Sequence, residues 1–170
     1  ITRIDNGVFT QRFQNFKAIY AEGVTEVGSF AFNETGSLNF AHLPKLKKLG
    51  EAVFTDNASL TAVNFPLLEE IGDVCFSGGA NFSGNGLKIT YVSIPAAKKI
   101  GSGAFHGNYK HSGVTFILGA QPEVNTKAYE DYPQEGFVAF GQLKSPVLYV
   151  TPEHLKTYTL TDGKWQIGRA

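Results

Sequence analysis

One block of apolar, glycine and aromatic positions returns four times along this chain. Val27-Gly28-Ser29-Phe30-Ala31-Phe32 comes back as Leu49-Gly50-Glu51-Ala52-Val53-Phe54, as Ile71-Gly72-Asp73-Val74-Cys75-Phe76 and as Ile100-Gly101-Ser102-Gly103-Ala104-Phe105. The glycines step by 22, 22 and 29 residues, and the closing phenylalanines step identically. A fixed period in this range predicts a solenoid, in which each repeat buries its apolar side only by stacking on its neighbours.

Reading back from each glycine, apolar residues recur at the same offsets in the segments Leu38–Leu49, Leu60–Ile71 and Ile89–Ile100. Phe16, Ile19, Ala21, Val24 and Val27 fill those slots in the coil before. Within them, Ile19-Tyr20-Ala21, Ala41-His42-Leu43, Val63-Asn64-Phe65 and Val92-Ser93-Ile94 alternate with period two and predict short strands. Their flanking residues point into the coil and the central one points out. Successive strands then stack as a parallel sheet, about 4.8 Å apart. Pro44, Pro66 and Pro95 end three of them, because proline cannot donate to a ladder. The glycine of each block is read as permitting a tight, left-handed turn. The slot before the final phenylalanine holds Ala31, Val53, Cys75 and Ala104, so it is crowded and interior. Cys75 is a buried filler on that reading rather than a nucleophile.

The 29-residue coil carries its extra length in Ser77–Gly86, a glycine-rich loop read as a surface excursion or a binding loop. Ile4–Phe9 looks like the end of an earlier coil, one residue out of phase. Val114-Thr115-Phe116 predicts a fifth strand, 22 residues after Val92-Ser93-Ile94. Val124 and Ala128-Tyr129 follow Ile100 and Ala104-Phe105 by 24, a small insertion. Leu148-Tyr149-Val150 predicts a sixth strand. Pro152–Tyr158 has a proline near its start and the spacing of one or two helical turns, closing the open end of the core with Trp165. The chain divides into a degenerate N-terminal coil or cap at 1–15, repeat coils at 16–130, and a last strand with its cap at 131–170, as one domain.

These runs resemble the BspA-type leucine-rich repeats of bacterial surface proteins, whose pattern reads approximately L-x-x-I-x-I-P-x-x-V-x-x-I-G-x-x-A-F. Leu60-x-x-Val63-x-Phe65-Pro66 followed by Ile71-Gly72-x-x-Cys75-Phe76 fits it, shifted by one position between proline and glycine. Ile89-x-x-Val92-x-Ile94-Pro95 and Ile100-Gly101-x-x-Ala104-Phe105 fit with similar spacing. The tail, Leu148–Pro152 with Leu155, Tyr158 and Trp165, is similar to the closing segment of such proteins. The resemblance covers about residues 16–165. It implies a leucine-rich-repeat solenoid: a β-rich right-handed coil with a parallel sheet on one face and few short helices. It also implies export, display at the cell surface, other domains in a longer chain, and for several members adhesion to proteins or other microbes. It supplies no catalytic residues.

Charge changes this picture little. Of 170 residues, 15 are Lys or Arg and 15 are Asp or Glu, which argues against a nucleic-acid or membrane-surface partner. No apolar run approaches the ~18 residues of a membrane span. The chain has no Met and opens at Ile1, as a processed or trimmed piece would, so a signal segment is expected to have been removed. One cysteine excludes an internal disulfide framework.

Candidate chemistry is thin. His106 and His111 share a loop, but five residues apart is not a helical ligand spacing, and no metal or other cofactor is expected. Glu69-Glu70 stands at slots equivalent to Lys47-Lys48 and Lys98-Lys99, which predicts a surface charge ladder. Gly101-Ser102-Gly103 belongs to the repeat and is no nucleotide loop. Asn33-Glu34-Thr35, Asn57-Ala58-Ser59 and Asn81-Phe82-Ser83 match the glycosylation acceptor pattern. Nothing resembles a Ser/His/Asp site, so no enzyme is expected.

The remaining candidate is the outward side of the strands. Tyr20, His42, Asn64, Ser93, Thr115 and Tyr149 are the central outward residues, and Ala18, Phe40, Ala62, Tyr91 and Ile117 flank them. Tyr20, Phe40, His42, Asn64, Tyr91, Ser93 and Tyr149 are the candidate ligand-binding set. Exposed aromatics on a rigid support suit a protein interface or a sugar ring. Two readings follow: an extracellular module recognising a protein or glycan, or a structural spacer holding a distal domain away from the cell; the aromatics are alternatively read as packing against a next domain or against residues 130–146.

Overall fold

The computed structural model describes residues 1–10, 13, 15–78, 88–107, 113–125, 139–140 and 146–158, with the backbone of 160–161 and 164–165. Its elements are β1 Arg3–Ile4, β2 Ala18–Tyr20, β3 Glu26–Val27, β4 Phe40–His42, β5 Lys48–Leu49, β6 Ala62–Asn64, β7 Glu70–Ile71, β8 Tyr91–Ile94, β9 Lys99–Ile100, β10 Thr115–Leu118, β11 Glu123–Val124, β12 Val147–Tyr149, α1 Pro152–Leu155, β13 Leu160–Thr161 and β14 Lys164–Trp165.

The result is a repeat solenoid with almost no helix. Each coil supplies one strand to each of two sides. On the first side β2 pairs with β4, and β6, β8, β10 and β12 form a second parallel ladder. β4 lies beside β6, but the ladder is interrupted between them. On the second side β1, β3, β5, β7, β9 and β11 form one six-stranded parallel sheet.

The second sheet explains the charge pattern. Its register places Arg3, Glu26, Lys48, Glu70, Lys99 and Glu123 side by side, so sign alternates at every step. Arg3 lies 3.0 Å from Glu26, Lys48 lies 3.4 Å from Glu70, and in the adjoining row Lys98 lies 2.6 Å from Glu69. The Lys98 ammonium beside Glu69 holds that carboxyl below its ordinary range. All are exposed or half-exposed, so each pair contributes little to stability. Opposite charges directly across strands still penalise a slipped register.

The third side is a column of turns, and it corrects the reading of the block glycines. Gly28, Gly50, Gly72 and Gly101 do not adopt left-handed backbone. They are glycine because the preceding coil leaves no room: a Cβ on Gly50 would stand 2.6 Å from the Ser29 backbone nitrogen, and one on Gly101 2.5 Å from the Gly72 carbonyl carbon. The left-handed residue comes two positions later, as Phe30, Ala52, Val74 and Gly103, with φ between 47° and 61°. That conformation turns backbone amides along the solenoid axis. Phe30 N–H donates to Glu51 O at 2.8 Å, Ala52 to Asp73 O at 2.9 Å and Val74 to Ser102 O at 2.8 Å.

Residues 3–9 join the stack in phase, not one residue out. Arg3 and Ile4 pair with Glu26 and Val27, and Gly7, at φ 65°, takes the left-handed slot of Phe30. Asp5 therefore stands where later coils have glycine.

The core is a continuous column. Phe9, Phe32, Phe54, Phe76, Phe105 and Phe140 stack ring on ring with centroids 5.2–5.5 Å apart. Leu38, Leu43, Leu46, Leu60, Val63, Phe65 and Leu68 fill the space beside them and are buried, as is Cys75. Phe140 corrects the expected fifth coil. Ala139-Phe140 takes the slot expected for Ala128-Tyr129, and Phe105 N–H donates to Ala139 O at 2.6 Å. The insertion is larger than expected, and Tyr129 lies outside the described residues. The dipeptide itself, a repeat of Ala31-Phe32 and Ala104-Phe105, was the available signal.

Two further expectations change. β10 pairs Phe116 with Val92 and Ile117 with Ser93, an offset of 24 rather than 22 residues. α1 does form, behind Thr151, but none of its residues is buried. The core is reached from this segment by Tyr158, whose hydroxyl donates to Gly119 O at 3.1 Å. Burial pushes that phenol up to about 12. The expected role of the Trp165 side chain lies outside the described residues.

Candidate functional site

The outward side of the first ladders forms two rows. One runs Ala18, Phe40, Ala62, Tyr91, Thr115, Val147; the other runs Tyr20, His42, Asn64, Ser93, Ile117, Tyr149. The two-residue shift of β10 exchanges Thr115 and Ile117 between the rows expected from sequence.

The candidate residues separate into one cluster and several isolated positions. Tyr20 and Phe40 sit diagonally across β2 and β4 with ring centroids 5.3 Å apart and a 42° tilt. His42 lies 6.2 Å from Tyr20 and 6.4 Å from Phe40, its ring plane nearly parallel to the latter's. Its Nε2 is 3.0 Å from a carboxylate oxygen of Glu22. Tyr20 is 73% exposed and Phe40 45%. The strands hold these rings because Ile19, between Ala18 and Tyr20, is anchored in the core.

Tyr91 stands in the row of Phe40, two strands on and across Ala62, so about 10 Å away. Tyr149 is 60% exposed but five strands from Tyr20, about 24 Å along the solenoid. Asn64 is exposed between these regions. Ser93 faces outward as expected, yet it is only 9% exposed. Its small side chain is flanked in register by the larger Asn64 and Ile117, which leaves little of it for a ligand. Sequence reasoning missed Glu22, because it follows the strand and reaches His42 only across two coils.

Other candidates resolve as structure. Asn57 is fully buried: its Nδ2 donates to Phe32 O at 2.7 Å and Thr55 O at 3.3 Å, and its Oδ1 accepts from the buried Thr35 hydroxyl. It is no glycan acceptor in the fold. Asn81-Phe82-Ser83 and His111 lie outside the described residues, and His106 is buried. Cys75 is buried away from solvent, which pushes its thiol up to about 12. Among the described residues no His, Cys, Asp and Glu form a group of three able to hold a metal ion. Among them, too, no helix is long and apolar enough to cross a membrane.

The BspA type leucine-rich repeat region matches residues 1–112 in six copies. The chain therefore belongs to the BspA-type leucine-rich repeat family, and the match takes in β1, which stacks in phase on β3. No curated protein and no solved structure matches the chain.

Proposed function

We propose that this domain is a non-catalytic recognition module of an exported or surface-displayed protein, and that it holds a partner on the outward side of β2 and β4. The observation that carries this reading is the Tyr20–Phe40–His42 cluster. Three rings held on short strands over a packed core present apolar area at little entropic cost, which suits an interface anchor. Glu22, at the edge, adds a carboxylate for orientation. Family membership supports a binding role over an enzymatic one.

The spacer reading draws on the middle of the same face, where Ala62, Asn64 and Ser93 offer small side chains and no anchor. One experiment separates the two. The purified chain is screened against immobilised extracellular-matrix proteins and a glycan array, beside a Tyr20→Ala/Phe40→Ala/Tyr91→Ala variant. A saturable ligand lost in the variant is expected. Absence of any ligand, or one retained at full affinity by the variant, would overturn this placement.

A further inference from the structure

Neither outward row of the first ladders holds an Asp, Glu, Lys or Arg. The second sheet is the reverse, with a charge at every step. One carboxylate is nevertheless drawn over the aromatic end of the uncharged face. Glu22 follows Tyr20 by two residues, and its Oε1 lies 3.0 Å from His42 Nε2. A carboxylate only accepts, so the imidazole is the donor. That bond fixes the carboxylate beside the rings and, with a neutral imidazole, leaves its charge whole. Among the described residues Oε2 has no hydrogen-bond or ion-pair partner, and the Glu22 side chain is 78% exposed.

The rings beside Glu22 suit a cation. An aromatic face is the negative end of a quadrupole and attracts a cation within about 6 Å of the ring centre. Tyr20 packs against Phe40 at 5.3 Å and keeps most of its ring open. Strand side chains stand up from the sheet, so a flanking strand borders such a ring without covering it. Phe40 demonstrates this, since it has β2 on one side and β6 on the other and is still 45% exposed. His42 borders both the Tyr20 ring and the carboxylate, so ring and charge edge one space.

We infer that Tyr20 and Glu22, propped by Phe40 and His42, seat an arginine side chain of a protein partner; this rests on the recognition role proposed above. The planar guanidinium stacks on the Tyr20 face while its N–H fork meets the carboxylate at the edge. A lysine ammonium is a compact, strongly hydrated charge and cannot stack and fork at once. A neutral sugar gains no charge attraction from Glu22, and an anion is repelled by it. His42 is a positioning residue that holds Glu22 in place.

NMR titration of the 170-residue chain with Nα-acetylargininamide at constant ionic strength tests the seat. The ring resonances of Tyr20, Phe40 and His42 are expected to shift together and to saturate at millimolar concentration. Nα-acetyllysinamide is expected to bind at least about threefold more weakly, and the neutral Nα-acetylcitrullinamide to leave the rings unshifted. Glu22→Gln is expected to weaken arginine binding at least about threefold, with resonances away from the cluster in place. Unmoved rings with arginine, equal shifts with citrulline, or a Glu22→Gln variant that binds like the parent would overturn the inference. So would methyl β-galactoside moving the same rings at lower concentration than arginine. The matrix-protein and glycan screen reports separately on the recognition role. A ligand that needs Tyr20 and Phe40 but is indifferent to Glu22→Gln would overturn the arginine seat and leave that role standing. Arginine binding with no matrix or glycan ligand would uphold the seat and count against the wider role.

Discussion

A Cβ placed on Gly72 would stand 2.3 Å from the carbonyl oxygen of Gly50, one coil away. Backbone meets backbone there, so no side-chain movement relieves the clash. Gly72→Ala is expected to destabilise the fold by at least about 3 kcal/mol, at the upper end of overpacking costs. By contrast Ala52→Gly, at a left-handed residue two positions after Gly50, is expected to change stability by under about 1 kcal/mol, since relieved strain offsets added chain entropy. Urea unfolding of both variants checks the contrast, and equal losses would count against the two roles assigned here.

Phe76 stacks between Phe54 at 5.4 Å and Phe105 at 5.2 Å and is fully buried. Phe76→Ala opens a cavity that the rigid coils on either side cannot close. A loss of about 3–5 kcal/mol is expected. Thermal or denaturant unfolding measures it, and a loss below about 1 kcal/mol would contradict the stacked column.

Asn57→Ala removes buried hydrogen bonds as well as contacts. The carbonyls of Phe32 and Thr55 lose the Asn57 amide donor, and the Thr35 hydroxyl loses the Asn57 acceptor and is left with the Phe32 carbonyl at 3.2 Å, all inside the coil. A cost of about 2–3 kcal/mol is expected. The double variant with Thr35→Val is expected to cost less than the sum of the two single changes, since both delete one shared bond. Additive losses in unfolding would show that no such coupling exists.

Cys75 makes the fold sensitive to alkali. Its thiol is raised by burial from 9.0 to about 12, so above pH 9 the unfolded chain releases a proton that the folded chain keeps. The stability this represents is complete below pH 9 and is lost progressively as pH rises toward 12. The slope is about 1.4 kcal/mol per pH unit inside that window. Tyr158, also raised, adds to the decline from pH 10 upward. Denaturant unfolding from pH 8 to pH 11 is expected to show the loss, with a shallower slope in Cys75→Ala. Native Cys75 is expected not to react with a thiol reagent at pH 8.

Much of this molecule was legible in its sequence. The Ile-Gly-x-x-x-Phe blocks located the coils, the period-two segments located the strands of one side, and alternating Lys and Glu pairs predicted a ladder that the second sheet supplies. Tyr20, Phe40 and His42 were recognised as outward-facing because Ile19 and Leu43 had to face inward. The misreadings arose where chain distance stopped matching coil distance. Residues inserted ahead of β10 moved its register by two positions, and a longer insertion handed the sixth place in the ring column to Phe140.

What the sequence alone determined is the coil and its core, since residues that recur at one period must bury the same side. Only the tertiary structure decided what each recurrent residue meets in the next coil. It showed that the block glycines are required by close backbone approach and not by a left-handed turn. It placed Tyr149 far from Tyr20, covered Ser93, and brought Glu22 to His42. Those relations run between coils, where the spacing depends on the length of each insertion and on how backbones fit together, and a linear pattern carries neither.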